Sequence, residues 1–433
     1  MLAANRKFKL DDQSKPQNKI SSDPAKARKG IRGTYPNTTN PILTGGGGIN
    51  GYQAGSVFKM FTMVAALEKG YPLATSIKTE NRYKSGYIIS PSSKAACPGT
   101  HFYCPGNAGA HEAGIYNMWT GFGASVNTYF VPLQERVGAE NVVDVAKRFG
   151  VQFRAKSDAD FANDEASAHQ WGAFTLGVSA STPLDMANAY ATLAGDGMYC
   201  QPTPVQEIKT QDGQKIDVGK PHCTRATSAD VARAALDAAR CPIGDQAQLG
   251  SCGGSRTAGA ARGIIGHPIY GKTGTTDQDK TAALIIGSSS LTVAGYLVNP
   301  DYANHSDHMS HAIVNPAVWE TMRDYLKGKP RVQFKRPGSE KISIGEQRSI
   351  PNVKCDSVGS ATSQIAGAGF EVSVSPNKVE SDCPEGTVAG TSPDGRTIKG
   401  GFVSLQVSAG KKADPTKPGG PPIVINPPGK PRR

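Results

Sequence analysis

The sequence predicts an α+β fold in two or three domains, and three observations carry that expectation. The run Met60 to Leu67 has no charge, glycine or proline, and Glu68-Lys69-Gly70 closes it. Such a segment is a helix that is apolar nearly all round and therefore buried. Between residues 269 and 298, alternating and apolar stretches fall into three short segments separated by turn residues, which predicts adjacent antiparallel strands. After residue 345 a second series of short apolar stretches begins, reading as a separate small module. Helical runs beside an antiparallel sheet define the α+β class, and 433 residues with 38% hydrophobic content are enough for more than one core.

The elements follow in order. Met1-Leu2-Ala3-Ala4-Asn5-Arg6 reads as the end of a strand. Residues 6–32 hold nine Lys and Arg among Ser, Pro, Asn and Asp, a solvated loop, and Gly45 to Gly48 is a flexible stretch. Residues 56–255 are mostly helical, with Asn141 to Phe149 and Thr182 to Gly195 the clearest helices. The three strands are expected at Ile269–Thr276, Thr281–Gly287 and Leu291–Val298, and a helix from Pro316 to Leu326 closes the domain. The domain boundaries are therefore expected at 1–330, with a linker at 331–345. In the module, 346–409, a short helix ends near Gly367, with strands near Glu371–Ser375, Gly386–Thr391 and Gly401–Ser408. The tail 410–433 is rich in Pro and Lys and is expected to be disordered.

Composition narrows the function classes. No apolar run reaches the ~18–20 residues that span a bilayer, and no signal peptide opens the chain. The net charge of +12 suits anionic polymers or lipid head groups, but the basic clusters lack interleaved aromatic residues, which argues against a nucleic-acid platform. Eight cysteines fall in close pairs, Cys97 with Cys104, Cys200 with Cys223, Cys241 with Cys252 and Cys355 with Cys383. None has the C-x₂-C spacing of structural zinc sites. Paired, they place the protein outside the cytoplasm.

The chemistry concentrates in three motifs. Ser56-Val57-Phe58-Lys59 opens the apolar helix, and residues three apart share one helix face. A serine hydroxyl needs a base, and a desolvated lysine supplies one. Ser125-Val126-Asn127 lies in an aromatic-rich stretch, and Lys272-Thr273-Gly274-Thr275-Thr276 precedes two strands. Each motif alone is weak, but SxxK, SxN and KTG in that order form the pattern of serine β-lactamases and penicillin-binding proteins. Two competing patterns are present. Gly266 to Thr273 satisfies the Walker A expression, yet it lacks the strand before and helix after that a phosphate loop needs. His305, His308 and His311 are spaced by three, a metal-face spacing in a stretch that reads better as a surface loop.

Over roughly residues 1–330 the chain resembles the transpeptidase domain of class A penicillin-binding proteins, especially those of actinobacteria. Beyond the motifs, the resemblance is carried by Gly51-Tyr52-Gln53-Ala54-Gly55, Thr128-Tyr129-Phe130-Val131, Leu176-Gly177-Val178-Ser179 and Pro183 to Ala194. Residues 346–409 resemble a PASTA domain, through Gly386-Thr387-Val388 and Gly400 to Leu405. That resemblance implies either recognition of peptidoglycan or β-lactams, or a spacer that binds nothing. The first resemblance implies a chain truncated at its N-terminus, whose intact form carries a membrane anchor. It also implies an extracytoplasmic serine DD-transpeptidase without cofactor or metal. Its partners would be peptidoglycan stem peptides, as D-Ala-D-Ala donor and amine acceptor, and β-lactams.

By the same resemblance Ser56 is the nucleophile, Lys59 its base and Ser125 the relay to the leaving amine. Asn127 holds the substrate amide, and Thr273, Gly274 and Thr275 bind the donor carboxylate beside Lys272. The oxyanion would lie between the N–H groups of Ser56 and Thr275. Two readings compete with this one: a carboxypeptidase or β-lactamase that passes the acyl group to water, and a non-catalytic wall-binding or β-lactam-sensing protein.

Overall fold

The computed structural model describes residues 23–31, 43–46, 49–109, 112–216, 218–254, 256–300, 303 and 308–411. The expected N-terminal strand, most of the basic 6–32 loop, His305 and the tail beyond 411 lie outside the described residues. The chain divides into two units between Glu346 and Gln347.

The first unit is built around the apolar helix. Gly55–Phe58 forms a 3-10 turn that runs directly into helix α1, Lys59–Glu68. Every α1 residue from Lys59 to Leu67 is buried, as its uniform apolarity requires. Helix α2, Met118–Ala124, starts in a capping box in which Asn117 and Thr120 satisfy each other's backbone N–H. Helices α3, Asn127–Val137, and α4, Ala139–Arg148, follow. Helix α5, Pro183–Ala194, opens with a second capping box, Thr182 with Asp185, and a proline in its first turn. Helix α6, Ala229–Ala239, is capped by Ser228.

The sheet has strands β1, Tyr270–Thr275, β2, Thr281–Gly287, and β3, Thr292–Val298, all antiparallel with β2 in the centre. Ala282, Leu284 and Ile286 of β2 pack with Val314, Val318, Met322 and Leu326 of helix α7, His311–Leu326. Ile285, pointing the other way, belongs to the core around α1. A strand buried on both faces reads as an unbroken apolar run rather than an alternating one, which is how Thr281–Gly287 reads. Helix α7 begins five residues before the expected Pro316. Its N-terminus is set by Ser310, whose hydroxyl accepts from Ala312 N at 3.1 Å, and Pro316 is carried inside the helix.

The segment expected as a linker is held by the first unit. The carbonyls of Ile342 and Ser343 accept from Leu73 N and Ala74 N at 3.1 and 2.9 Å. The second unit contains helix α8, Val358–Gly367, and strands β4, Glu371–Val379, β5, Val388–Ser392, and β6, Phe402–Ser408. Strand β6 lies between the others, parallel to β4 and antiparallel to β5. Ala361 and Ile365 of α8 pack on Val388, Val403 and Leu405. A two-stranded ribbon, Gln347–Ser349 with Arg396–Ile398, was not legible in the sequence, because its strands are short and largely exposed. The eight cysteines form four disulfides between the near-neighbour pairs. Among the described residues, no helix is long and apolar enough to cross a membrane.

Candidate active site

Two lysines that are wholly removed from solvent meet one hydroxyl. Lys59, at the start of α1, and Lys272, in the middle of β1, are both 0% exposed. Lys272 Nζ donates to Ser125 Oγ at 2.8 Å, and Lys59 Nζ approaches the same oxygen at 3.2 Å. Lys59 also donates to Ser125 O at 2.5 Å and to Asn127 Oδ1 at 2.6 Å. Its three partners therefore all lie on the Ser125–Asn127 segment. That segment is shaped by Ser125, which takes the left-handed conformation, φ 63°, between α2 and α3. A non-glycine residue there is uncommon and marks a place where the surrounding structure fixes the backbone. The amide of Asn127 is held in turn, its Nδ2 donating to Gly106 O at 2.8 Å.

The KTG strand is pressed against the turn that carries Ser56. A Cβ on Gly274 would stand 2.0 Å from Ala54 O, and one on Gly55 would stand 2.4 Å from Thr275 O. Only residues without a side chain allow this approach, and it brings Ser56 beside Thr275 at the edge strand. Ser56, Ser125, Asn127, Thr273 and Thr275 all line one cleft of about 520 Å³. A smaller adjoining space touches Ser56, Asn127 and Thr275 again. The eight residues expected at a site thus converge on one region of the first unit. The Walker A reading fails: Gly271 to Thr275 is strand, and Lys272 points to Ser125 instead of a phosphate cradle.

Burial explains the electrostatics. Removal from water, and secondarily the neighbouring Lys272 cation, hold Lys59 well below the ordinary lysine range, and Glu112 opposes this only in part. Burial brings Lys272 down to about 7, again against Glu112. The aromatic stretch supplies the low-dielectric walls: Phe130 lies 5.8 Å from Lys59 Nζ and Phe122 lies 5.5 Å from Lys272 Nζ. Rings at these distances shield each amine from water while offering their negative faces to whatever charge it carries. The neutral form of Lys59 is favoured by burial first and by the Lys272 cation second, and Lys272 itself titrates near neutrality.

Sequence reasoning missed three cleft residues. His311 Nε2 lies 2.9 Å from Thr275 Oγ1, and its Nδ1 lies 3.0 Å from Asn315 Oδ1. His308 faces Asp279 instead, at 3.9 Å, so the two histidines of the spaced set that are described have different partners. The hydroxyl of Thr273 donates to Thr257 Oγ1 at 2.7 Å. Glu112 lines the same cleft as Ser56. Lone Thr, His and Glu residues carry no motif, so only the fold finds them.

Comparison with known proteins agrees with this geometry. Residues 48–316 match the penicillin binding protein transpeptidase domain, and residues 349–409 match the PASTA domain. Penicillin-binding protein 1A of Rickettsia prowazekii is 28% identical over 320 residues, covering 69% of this chain and 37% of that protein. Penicillin-binding protein 1A of Mycobacterium tuberculosis is 26% identical over 317 residues, covering 70% of this chain and 35% of its own length. The chain therefore spans little more than a third of these relatives. The crystal structure of penicillin-binding protein 1A from Haemophilus influenzae superposes with a TM-score of 0.54 at 21% identity, over 72% of this chain and 46% of that one, a likeness of fold. With more than half of its length matched to the transpeptidase model and four disulfides that fit an extracytoplasmic setting, this chain belongs to the penicillin-binding protein transpeptidase family and carries a PASTA domain.

Proposed function

We propose that the chain is a serine DD-transpeptidase that cross-links peptidoglycan stem peptides through an acyl-enzyme on Ser56 and is acylated by penicillin at the same atom. The observation that carries this reading is the Ser125 hydroxyl held by two buried lysines within a cleft that Ser56 lines. Neutral Lys59 takes the proton of Ser56 as its oxygen attacks the donor carbonyl. The N–H groups of Ser56 and Thr275 receive the oxyanion. Ser125, already bonded to Lys59, passes a proton to the leaving nitrogen. Asn127 aligns the donor amide. Lys272 in its protonated form, with the hydroxyls of Thr273 and Thr275 and the close backbone at Gly274, takes the donor's terminal carboxylate. Because Lys59 must be neutral to act, acylation falls as pH drops through its lowered pKa. The domain limits follow the same reading, with catalysis in the first unit and a PASTA domain at 346–409 reading the wall or spacing it.

The test is labelling with fluorescent penicillin. Wild-type protein is expected to form a stable adduct that peptide mapping places on Ser56, and Ser56→Ala to form none. An adduct that persists in Ser56→Ala removes Ser56 as nucleophile. Labelling without turnover of any peptide donor would favour the β-lactam-sensing reading.

A further inference from the structure

The reaction proposed above uses two nucleophiles, and the residues assigned so far prepare only the first. Lys59 activates Ser56. The acceptor amine then arrives as an ammonium, because a primary amine on an alkyl chain is protonated near neutral pH. It approaches a chain of net charge +12 and a cleft in which the Ser125 hydroxyl is bonded to Lys59 and Lys272. It needs an anion to receive it and a base to take its proton.

Glu112 meets both needs by position. It lines the cleft together with Ser56, Ser125 and Asn127. Its backbone is fixed: Glu112 O accepts from Thr79 Oγ1 at 3.2 Å and from Asn107 Nδ2 at 3.3 Å. Asn107 is itself locked to the start of α3, donating to Thr128 Oγ1 at 2.8 Å and accepting from Thr128 N at 2.9 Å. One hydrogen-bonded frame therefore carries Glu112 and the substrate-holding Asn127. The backbone N–H groups of Gly109 and Ala108 reach the Glu112 carboxyl, and Lys59 and Lys272 act on it electrostatically. Burial is the largest influence and raises its pKa, which makes it a stronger base than an exposed carboxylate. Tyr116 feels its charge, and among the described residues Asp277, Asp279 and His311 also line the cleft.

We propose that Glu112 is the acceptor-side base: it binds the ammonium of the incoming amine and takes one proton from it. The step balances. R–NH₃⁺ gives a proton to the Glu112 carboxylate and becomes a neutral amine. Its lone pair attacks the carbonyl carbon of the Ser56 ester, forming the C–N bond. The C–Oγ bond to Ser56 breaks. The second amine proton passes through Ser125 and Lys59 to Ser56 Oγ, and Glu112 returns its proton to water. The proposal rests on the acyl-enzyme reading, and penicillin labelling of the wild type tests that reading separately.

The experiment gives the full chain a thioester acyl donor, with either Nα-acetyl-lysine amide, protonated at pH 7, or hydroxylamine, neutral at pH 7. The ratio of aminolysis to hydrolysis is read by mass spectrometry. This ratio is set after acylation, so changes in acylation rate cancel. Glu112→Gln is expected to lower the lysine-amine ratio at pH 7 by about 100-fold, the low end of general-base effects. The hydroxylamine ratio should stay within about twofold, since a neutral amine needs no prior deprotonation. The lysine-amine ratio should recover as pH rises toward the amine's own pKa, and Glu112→Asp should restore part of it. An equal loss for both amines, or no loss for either, overturns the assignment. A second measurement needs only wild type. If its lysine-amine rate follows nothing but the free-amine fraction with pH, the proposal fails; if the rate persists below that pKa and falls on an acid limb, it stands. Protein that penicillin labels but that uses neither amine also overturns it, and wild type that penicillin does not label overturns the acyl-enzyme reading instead.

Discussion

The two units of the chain spend burial in opposite ways. In the first, the core around α1 encloses Lys59 and Lys272 at 0% exposure, with Thr62, Gln134 and Thr175 also inside. In the second, the core is Ile350, Val353, Ala361, Ile365, Phe370, Val388, Val403 and Leu405, and among the described residues no charged side chain is buried there. Taking a lysine out of water without a carboxylate partner is unfavourable by several kcal/mol. A unit that bears this penalty twice, within reach of one hydroxyl, is shaped by chemistry. The second unit has an apolar core of eight residues and adds a disulfide, Cys355–Cys383.

The largest expected effect breaks this contrast from the first side. Lys59→Met removes the base and the buried amine together. Penicillin acylation is expected to fall by about 10²–10⁴-fold, the range for a lost general base, measured as the second-order rate of fluorescent labelling. Thermal stability at pH 7 should not fall, because a thioether of similar reach fills the site without the desolvation penalty. A variant that melts well below wild type would show that Lys59 holds the fold as well as the reaction.

The next effect comes from the second unit. Replacing Cys355 and Cys383 by serine opens a cross-link between residues 28 apart. In the chain-entropy model such a link is worth about 3–4 kcal/mol. The module's unfolding, followed by hydrogen exchange at Val403 and Leu405, should shift by that amount, with penicillin labelling unchanged. Loss of labelling in this variant would join what the comparison separates.

How much of this was legible in the sequence follows the same division between periodic and aperiodic signals. The apolar run of α1, the capping residues of α5 and the unbroken strand β2 each state their burial locally, so their type and place could be read directly. The ordered motifs carried the eight candidate residues. What escaped depends on contacts between distant segments. Glu112 stands in a segment without helical or strand period, and reaches the cleft only because Asn107 and Thr128 tie that segment to α3. His311 looked like part of a spaced histidine set, and becomes a neighbour of Thr275 only when α7 folds back along β2. The start of α7 was misplaced because a proline usually opens a helix, whereas here the serine cap six residues earlier, together with the burial of Val314 and Val318, outweighs the hydrogen bond that Pro316 cannot donate.

The smallest effect makes the contrast sharpest, because the same chemical change is tried in a strand of each unit. Gly274 lies in β1 and Gly390 in β5. At Gly274 an added methyl group meets Ala54 O at 2.0 Å and Val57 Cγ1 at 3.1 Å; at Gly390 nothing lies within 4 Å. Backbone cannot retreat as a flexible side chain can, so Gly274→Ala must push β1 away from the Ser56 turn. Overpacking of this kind is expected to destabilise by about 1–3 kcal/mol and to slow acylation by displacing Thr275 from Ser56. Gly390→Ala should instead be neutral or stabilise by up to about 1 kcal/mol, since it restricts only the unfolded chain. Melting curves of the two variants, with labelling rates for the first, measure both. Equal tolerance at the two positions would mean that the KTG strand does not press on the nucleophile turn, and with it the reason for a glycine between Thr273 and Thr275 would be gone.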